Sequence, residues 1–570
     1  MANYPWLEHY DAGVARSLEP YPERTLLDYL SDTARQWGDR PALLFKGATV
    51  SYARLDQLSD SFAAALVALG VRPGDRVALC LPNSPQFLVA EIGAWKAGAI
   101  ASPINPTYSD RETEDALNAT GAETIVVLNR FYDRFKAIQP RTSLKRIITS
   151  NVKDYLPVLL RIAYTLLKEK KEGDRITLRD GDERMTSLLR RYRWSRRPAV
   201  RVGLDDPAVI LMSGGTTGTP KGAVGTHRGL TIAGHQLQAW LRPAMHEWTD
   251  TILLPLPLFH VYANVGVQSL ALINHNPIAL VPNPRELRDV LKEINDVRPS
   301  FICAVPTLLN AIMSHPMARE GKVDFTSIKL CFSGAAALMA ETKKRFEEMT
   351  GGVIVEGYSL TEAQMAVVAN PVRGEKKLGS VGMPLPDVEV RILDSDDGRT
   401  PMAQGEVGEI VIRAPQLMQG YWQRPDETRE MLRTDESGQR VLYTGDLGYL
   451  DDDGYLFIVD RKKDLIKTSG YQVWPREIEE VISKHPAVAE VGVAGLPDKM
   501  RGEAVKAWIV LRPEMMATTA EMKAFCRESL APYKVPSQYE FVKDLPKSMV
   551  GKVLRRVLRQ QEEGKETQKT

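Results

Sequence analysis

Ser213, Thr216, Thr217, Thr219 and Lys221 crowd into one short run, "SGGTTGTPK", with Gly214, Gly215 and Gly218 between them and Pro220 before the lysine. Four hydroxyls and one ammonium on such a backbone are donors seeking an anion. The glycines let N–H groups turn inward with no Cβ in the way, and the lysine adds positive charge. The chemistry implied is phosphate holding. The run is not a Walker loop, which closes in Gly-Lys-Ser/Thr, because Pro220-Lys221-Gly222 stands there instead.

Four further stretches follow: "EGYSLTE" (356–362), "YTGDLG" (443–448), "DRKKDLIKTSGYQVWPREIE" (460–479) and "PKSMVGKVLRR" (546–556). Taken in order with "SGGTTGTPKG", they resemble the signature of the adenylate-forming superfamily. That superfamily includes acyl-CoA synthetases, aryl-CoA ligases, luciferases and peptide-synthetase adenylation domains. The resemblance covers nearly the whole chain, and it implies ATP, Mg²⁺ and coenzyme A as the small molecules used.

Carried onto this sequence, the resemblance gives each candidate a task. Residues Ser213 to Lys221 would hold the phosphates. Glu356, Gly357 and Tyr358 would line the adenine site, with Tyr358 offering a flat face, and Thr361 would add a hydroxyl for a phosphate. Glu362 supplies a hard oxygen suited to Mg²⁺, and Thr217 is its companion ligand. Asp446 can accept from both ribose hydroxyls, and Arg461 reaches the same sugar. Lys463 matches the hinge position, and Lys467 faces the adenylate after the small lobe turns. Ser469, Gly470 and Gln472 match the coenzyme A side. Lys552, preceded by Gly551, would bind charge developing between carboxylate and α-phosphate. Lys552, Thr217, Glu362 and His260 are thus the catalytic candidates. Two positions depart from the pattern: Ala337 stands where proline is common, and Ser359 where glycine is usual.

These groups need a scaffold that brings distant residues to one edge. In "YARLDQLSDSFAAALVALG" the apolar residues Leu55, Leu58, Phe62, Leu66 and Leu69 recur at helical spacing. "RVALCL" (76–81) reads as a buried strand, "SPQFLVAEIGAWKAG" as a helix and "AIASPIN" as the next strand. Strand, helix, strand predicts a parallel sheet covered by helices. "TIVVL", "AVILM", "FICAVP" and "IKLCFSG" extend the pattern. The expected class is α/β, with doubly wound sheets in a large lobe, residues 1–459. Short alternating strands at "VEVRILD" and "GEIVIR" predict a small β-barrel subdomain over about 380–459. A hinge at 460–463 then leads to a small mobile α+β lobe, 464–570, whose polar tail "QQEEGKETQKT" reads as disordered.

At 570 residues the chain is too long for one core, and a net charge of +2 argues against a dedicated nucleic-acid binder. The four cysteines form no CxxC spacing and read as core residues in a reducing compartment. "MANYPWLEHYDAG" lacks a secretory pattern, and no run of about 20 apolar residues offers a membrane span. The expected location is cytoplasmic. Segment 152–201 departs in texture: "YLPVLLRIAYTLLKEKKEG" puts aliphatic residues beside a basic end, and "RMTSLLRRYRWSRRPAVR" adds Trp194 among arginines. That composition suits a peripheral contact at the inner face of a membrane; packing as a helical insertion on its own domain is the alternative. A homodimer is compatible with the sequence.

The acyl site is expected around His260, Ala263, Val305, Gly334, Ala335, Gly357 and Ser359. These are small or neutral, with no charged group for a substrate ammonium. "PWLEHYDAGV", the Gly-Gly of "SGGTTG" and the basic insertion all resemble bacterial long-chain fatty-acid–CoA ligases. The implied reaction joins a medium- to long-chain fatty acid to coenzyme A through an acyl-adenylate, releasing AMP and pyrophosphate. Rival readings are an acyl-AMP ligase that loads a carrier protein, a coumarate-type aryl-CoA ligase and a luciferase-type oxygenase.

Overall fold

A computed structural model describes residues 4–213, 220–334, 338–468, 471–498, 500–547 and 552–567. Among them the strands form four sheets. An eight-stranded sheet runs in the order Gly420–Tyr421, Lys221–Thr226, Pro207–Ser213, Ile100–Pro103, Arg76–Cys80, Thr124–Leu128, Arg146–Ser150 and Glu183–Arg184. Its centre is parallel, Val77 lying opposite both Ala101 and Thr124. Thr124–Leu128 is buried at every position, as expected of a strand covered on both faces.

A nine-stranded sheet is built around Ile252–Leu254, Phe301–Ala304, Leu330–Ser333 and Val353–Leu360. The helix Pro85–Lys96, buried at all its residues, ties the two sheets together. Trp95 Nε1 donates to Ala208 O of the first sheet at 2.8 Å, and Asn83, just before the helix, donates to Leu254 O of the second at 3.0 Å. The helix has no solvated face, and its few polar side chains find partners inside, Gln86 donating to Asn151 O and Lys96 pairing with Asp56 and Asp60, so it belongs to the core rather than the rim.

The strands expected to close a small barrel form instead a five-stranded antiparallel sheet centred on Arg440–Leu450. Ile466–Thr468, Tyr471–Val473, Val488–Asp498, Gly502–Leu511 and Gln538–Phe541 make the fourth sheet, over a separate core that includes Ile478, Ile482, Val493, Ile509 and Met522. The polar tail corrects its expectation. Arg555–Thr567 is a helix; Leu558 is buried beside Trp508, and Glu562 pairs with Lys506 at 2.9 Å. One apolar anchor and two ion pairs, Lys565 reaching Glu540 at 2.8 Å as well, give the tail something to pack against. The four cysteines are free and buried.

Segment 152–201 is neither one helix nor uniformly packed. Met185 and Leu188 of the helix Met185–Arg191 are buried, whereas the helix Val158–Leu167 buries nothing.

Candidate active site

The phosphate-binding candidates sit on a hairpin. Pro207–Ser213 pairs antiparallel with Lys221–Thr226, and Ser213 lies opposite Lys221, so the two ends of the glycine-rich run are held together. Gly214, Gly215, Thr216, Thr217, Gly218 and Thr219 lie outside the described residues. So do Ala335, Ser469 and Gly470, while Gln472 is described in its backbone alone.

Glu362 reaches the hairpin through packing. After Val353–Leu360 the chain turns, and Gln364 Oε1 lies 2.0 Å from where a Cβ on Gly225 would stand. Any side chain at Gly225 would push this turn off the hairpin. Tyr421, on the edge strand opposite Ala223, donates its hydroxyl to Glu362 Oε1 at 2.7 Å. Its ring sits 5.3 Å from Lys221 Nζ, and Ser213 lies opposite Lys221 in the hairpin. Ser213, Lys221 and Glu362 thus converge around a tyrosine that sequence reasoning missed. Nothing in "MQGYW" marks it; strand pairing does.

The nucleoside candidates meet across two sheets. Leu330–Ser333 runs parallel to Val353–Glu356, with Ser333 opposite Glu356. From Gly357 onward the strand pairs with Met365–Ala369 instead. The change of partner falls at the strands' carboxyl ends, where α/β folds place ligands in a crevice. Glu356, Gly357, Tyr358 and Ser359 line up along this strand, and Thr361 follows in the turn. Tyr358, buried, donates its hydroxyl to Asp446 Oδ2 at 2.6 Å. Arg461 stands opposite Asp446 in the neighbouring strand and pairs with Oδ1 at 2.8 Å. Each carboxylate oxygen keeps a second lone pair for another donor.

Lys552 comes to the same place from the far end of the chain. The charges around it are Arg461, Asp446, Arg555 and Asp464. Although the residue as a whole is exposed, crowding desolvates its ammonium and, with Arg461, pushes its pKa down to about 8. Arg555, three residues on, donates to Asp460 Oδ1 at 2.7 Å and to Glu479 Oε2 at 2.7 Å. Arg476 Nη1 donates to Ile458 O at 2.9 Å. These bonds hold the small lobe with Lys552 beside Asp446 and Arg461; Arg555 had no assigned part in the sequence reading, and Asp460 was placed there only as the start of the hinge. Lys463 lies in a 3₁₀ turn between the third and fourth sheets. Lys467 is opposite Gln472 in a hairpin of the small lobe, its side chain exposed.

On the acyl side, His260 Nδ1 accepts from Tyr262 N at 3.3 Å, and burial holds its pKa down to about 4. It is a neutral imidazole at physiological pH, with its proton on Nε2. Tyr262 opens a π-helical turn, Tyr262–Val267, and donates to Phe332 O at 2.5 Å. Such turns mark functional sites more often than ordinary helix does. Gly334 lies near Gly357 O and the Tyr262 ring. Behind them runs an apolar seam lined by Leu237, Tyr262, Gly266, Leu270, Phe332 and Met365, closed to about 10 Å³. A Cβ on Gly266 would meet Met365 Sδ at 2.8 Å. Ala263 and Val305 are buried but stand outside this lining.

A hairpin rich in hydroxyl and ammonium donors, the Asp446–Arg461 pair and a lysine from the small lobe are what a two-lobed nucleotide-dependent enzyme would need. The chain belongs to the AMP-binding enzyme family, whose model matches residues 30–422, with the AMP-binding enzyme C-terminal domain matching 477–552. It is 37% identical over 561 residues to the long-chain-fatty-acid–CoA ligase of Bacillus subtilis (strain 168), covering 98% of each chain. It is 35% identical to that of Salmonella typhimurium, again over 98% of each. Among solved structures, ATP-bound MatB from Rhodopseudomonas palustris matches with a TM-score of 0.79 at 27% identity, over 94% of this chain and 98% of that one. An anthranilate CoA ligase in complex with anthranoyl-AMP matches at 0.80 and 26%, over 95% and 98%.

Proposed function

We propose that this chain joins a medium- to long-chain fatty acid to coenzyme A in two half-reactions. In the first, a carboxylate oxygen of the acid attacks the α-phosphorus of ATP, the bond to the β-phosphate breaks, and pyrophosphate leaves. In the second, the coenzyme A sulfur attacks the acyl carbon and AMP leaves, the thiol proton passing to solvent. The observation that carries the reading is the meeting of Lys552 with Asp446 and Arg461 at the crevice. It is supported by full-length similarity to long-chain-fatty-acid–CoA ligases.

The hairpin from Ser213 to Lys221 grips the phosphates, and Tyr358 with Asp446 and Arg461 fixes the nucleoside. Glu362, a hard carboxylate oxygen donor beside the hairpin, would hold Mg²⁺ with Thr217, and the ion would neutralise phosphate charge. Lys552 balances charge at the α-phosphoryl group. The small lobe, 464–570, then turns about the 460–463 hinge at Lys463, withdrawing Lys552 and presenting Lys467, Ser469, Gly470 and Gln472 to the adenylate and coenzyme A.

His260, Gly334, Gly357 and Ser359 border the acyl entrance, and the seam behind Gly266 receives the chain when Met365 moves aside. A flexible thioether is suited to such repacking. Among the described residues no helix is long and apolar enough to cross a membrane; a cytoplasmic location, peripheral membrane contact through 152–201 and a homodimer complete the proposal.

AMP formation with coenzyme A, assayed over straight-chain acids and coumarate, tests the reading. Each buried methylene contributes about 0.8 kcal/mol, so activity should climb roughly tenfold per two carbons to a maximum within about C10–C18. Gly266→Val should move that maximum to shorter acids. Equal turnover of acetate and palmitate, or a preference for coumarate, would refute the fatty-acid assignment.

A further inference from the structure

The helix Val158–Leu167 is amphipathic the wrong way round. Val158, Leu159, Leu166 and Leu167 are 68, 81, 77 and 76% exposed, and Leu160 and Ile162 about half exposed. A helix on a globular surface normally turns its apolar stripe to the core. Here the polar side faces the protein and is firmly tied there. The Tyr164 hydroxyl donates to Asp174, a buried carboxylate that Arg130 Nη2 also holds at 2.7 Å. Lys153 Nζ donates to Thr165 Oγ1 at 3.1 Å and pairs with the buried Glu169 at 2.6 Å. Arg161 Nη2 donates to Leu156 O at 3.2 Å. The outward apolar face is therefore a built feature and not the fraying of a loose insertion.

Its surroundings select the occupant. Lys168, Lys170, Lys171 and Arg175 follow at the helix carboxyl end, all exposed. The one exposed acid among them, Glu172, is tied to Arg130 at 3.2 Å. Cations at a helix carboxyl end suit the backbone dipole, and cations bordering an aliphatic face suit anionic headgroups. At ten residues the helix is roughly 15 Å long, enough to lie in an interface but not to span one.

We infer that Val158–Leu167 is a docking foot that seats in the interfacial layer of an anionic bilayer, with Lys168, Lys170 and Lys171 on the headgroup phosphates. The inference rests on the fatty-acid reading for its purpose, since such an acid is drawn from a bilayer. Its test needs no substrate.

The full chain is sedimented with vesicles of phosphatidylcholine containing phosphatidylglycerol, and with phosphatidylcholine alone. Binding to the anionic vesicles is expected, falling at least about tenfold in the double variant Leu159→Glu, Leu166→Glu and again in Lys170→Glu, Lys171→Glu. Both variants should keep the parental circular dichroism spectrum and the parental rate on a short, water-soluble acid. Vesicle binding untouched by the leucine variant would overturn the inference. So would a dimer that this variant dissociates while vesicle binding persists, for then a second copy covers the face. If leucine-dependent vesicle binding stands while no fatty acid supports AMP formation, the proposed reaction falls and the docking foot does not.

Discussion

In the proposed reaction Lys552 links charge state to rate. Its ammonium stabilises developing negative charge only while protonated, and crowding together with Arg461 brings its pKa to about 8. Acid-dependent pyrophosphate release should therefore fall as pH rises through about 8. Lys552→Arg should carry the fall to higher pH, and Lys552→Ala should cost about 10²–10³-fold in this half-reaction. Thioester formation from supplied acyl-adenylate should keep its rate in both. His260, neutral with a pKa near 4, cannot produce that inflection. A pH profile unchanged by Lys552→Arg would assign the titration elsewhere. Lys552 was legible in sequence because a Gly-Lys pair stands at the end of an ordered motif series. Tyr421 was not: its contact with Glu362 arises from the pairing of a two-residue edge strand, and no spacing in the chain announces it.

Elements explain the next layer of successes and misses. The strand before the glycine-rich run was evident from its apolar residues. The strand after it, "KGAVGT", has two glycines and little bulk, so pattern alone did not show the hairpin that clamps the run. The tail helix Arg555–Thr567 was missed for a similar reason: among the polar residues that dominate it, one leucine and one glutamate find partners on another sheet. That helix begins at Arg555, which clasps Asp460 and Glu479. Arg555→Ala should loosen the arrangement that brings Lys552 to the crevice. We expect pyrophosphate exchange to drop about tenfold while thioester formation from acyl-adenylate holds or rises. Equal losses in both half-reactions would make Arg555 a stability residue only, and thermal unfolding of the variant would show a matching decrease.

At the scale of the whole chain, length alone foretold several cores, and the ordered motifs named residues that the fold brings together from distant parts of the chain, Tyr358, Asp446 and Arg461 among them. The direction in which an amphipathic helix faces was not legible. Periodicity gives "VLLRIAYTLL" a stripe but not the side of the molecule it lies on; Tyr164, Thr165 and their distant partners decide that. The narrow apolar seam proposed for the acyl chain is likewise invisible in sequence, since it depends on Met365 resting against Gly266. The proposal unites these parts: one nucleotide held by the large lobe while the small lobe serves two successive steps at it. The most direct measurement is exchange of labelled pyrophosphate into ATP by the full chain with Mg²⁺, without coenzyme A, with and without a long-chain fatty acid. Exchange that requires the fatty acid, and is lost in Lys552→Ala, is the expected result. Thioester formation proceeding with no such exchange, under conditions where the acid and ATP are both bound, would contradict an acyl-adenylate and with it the two-step account.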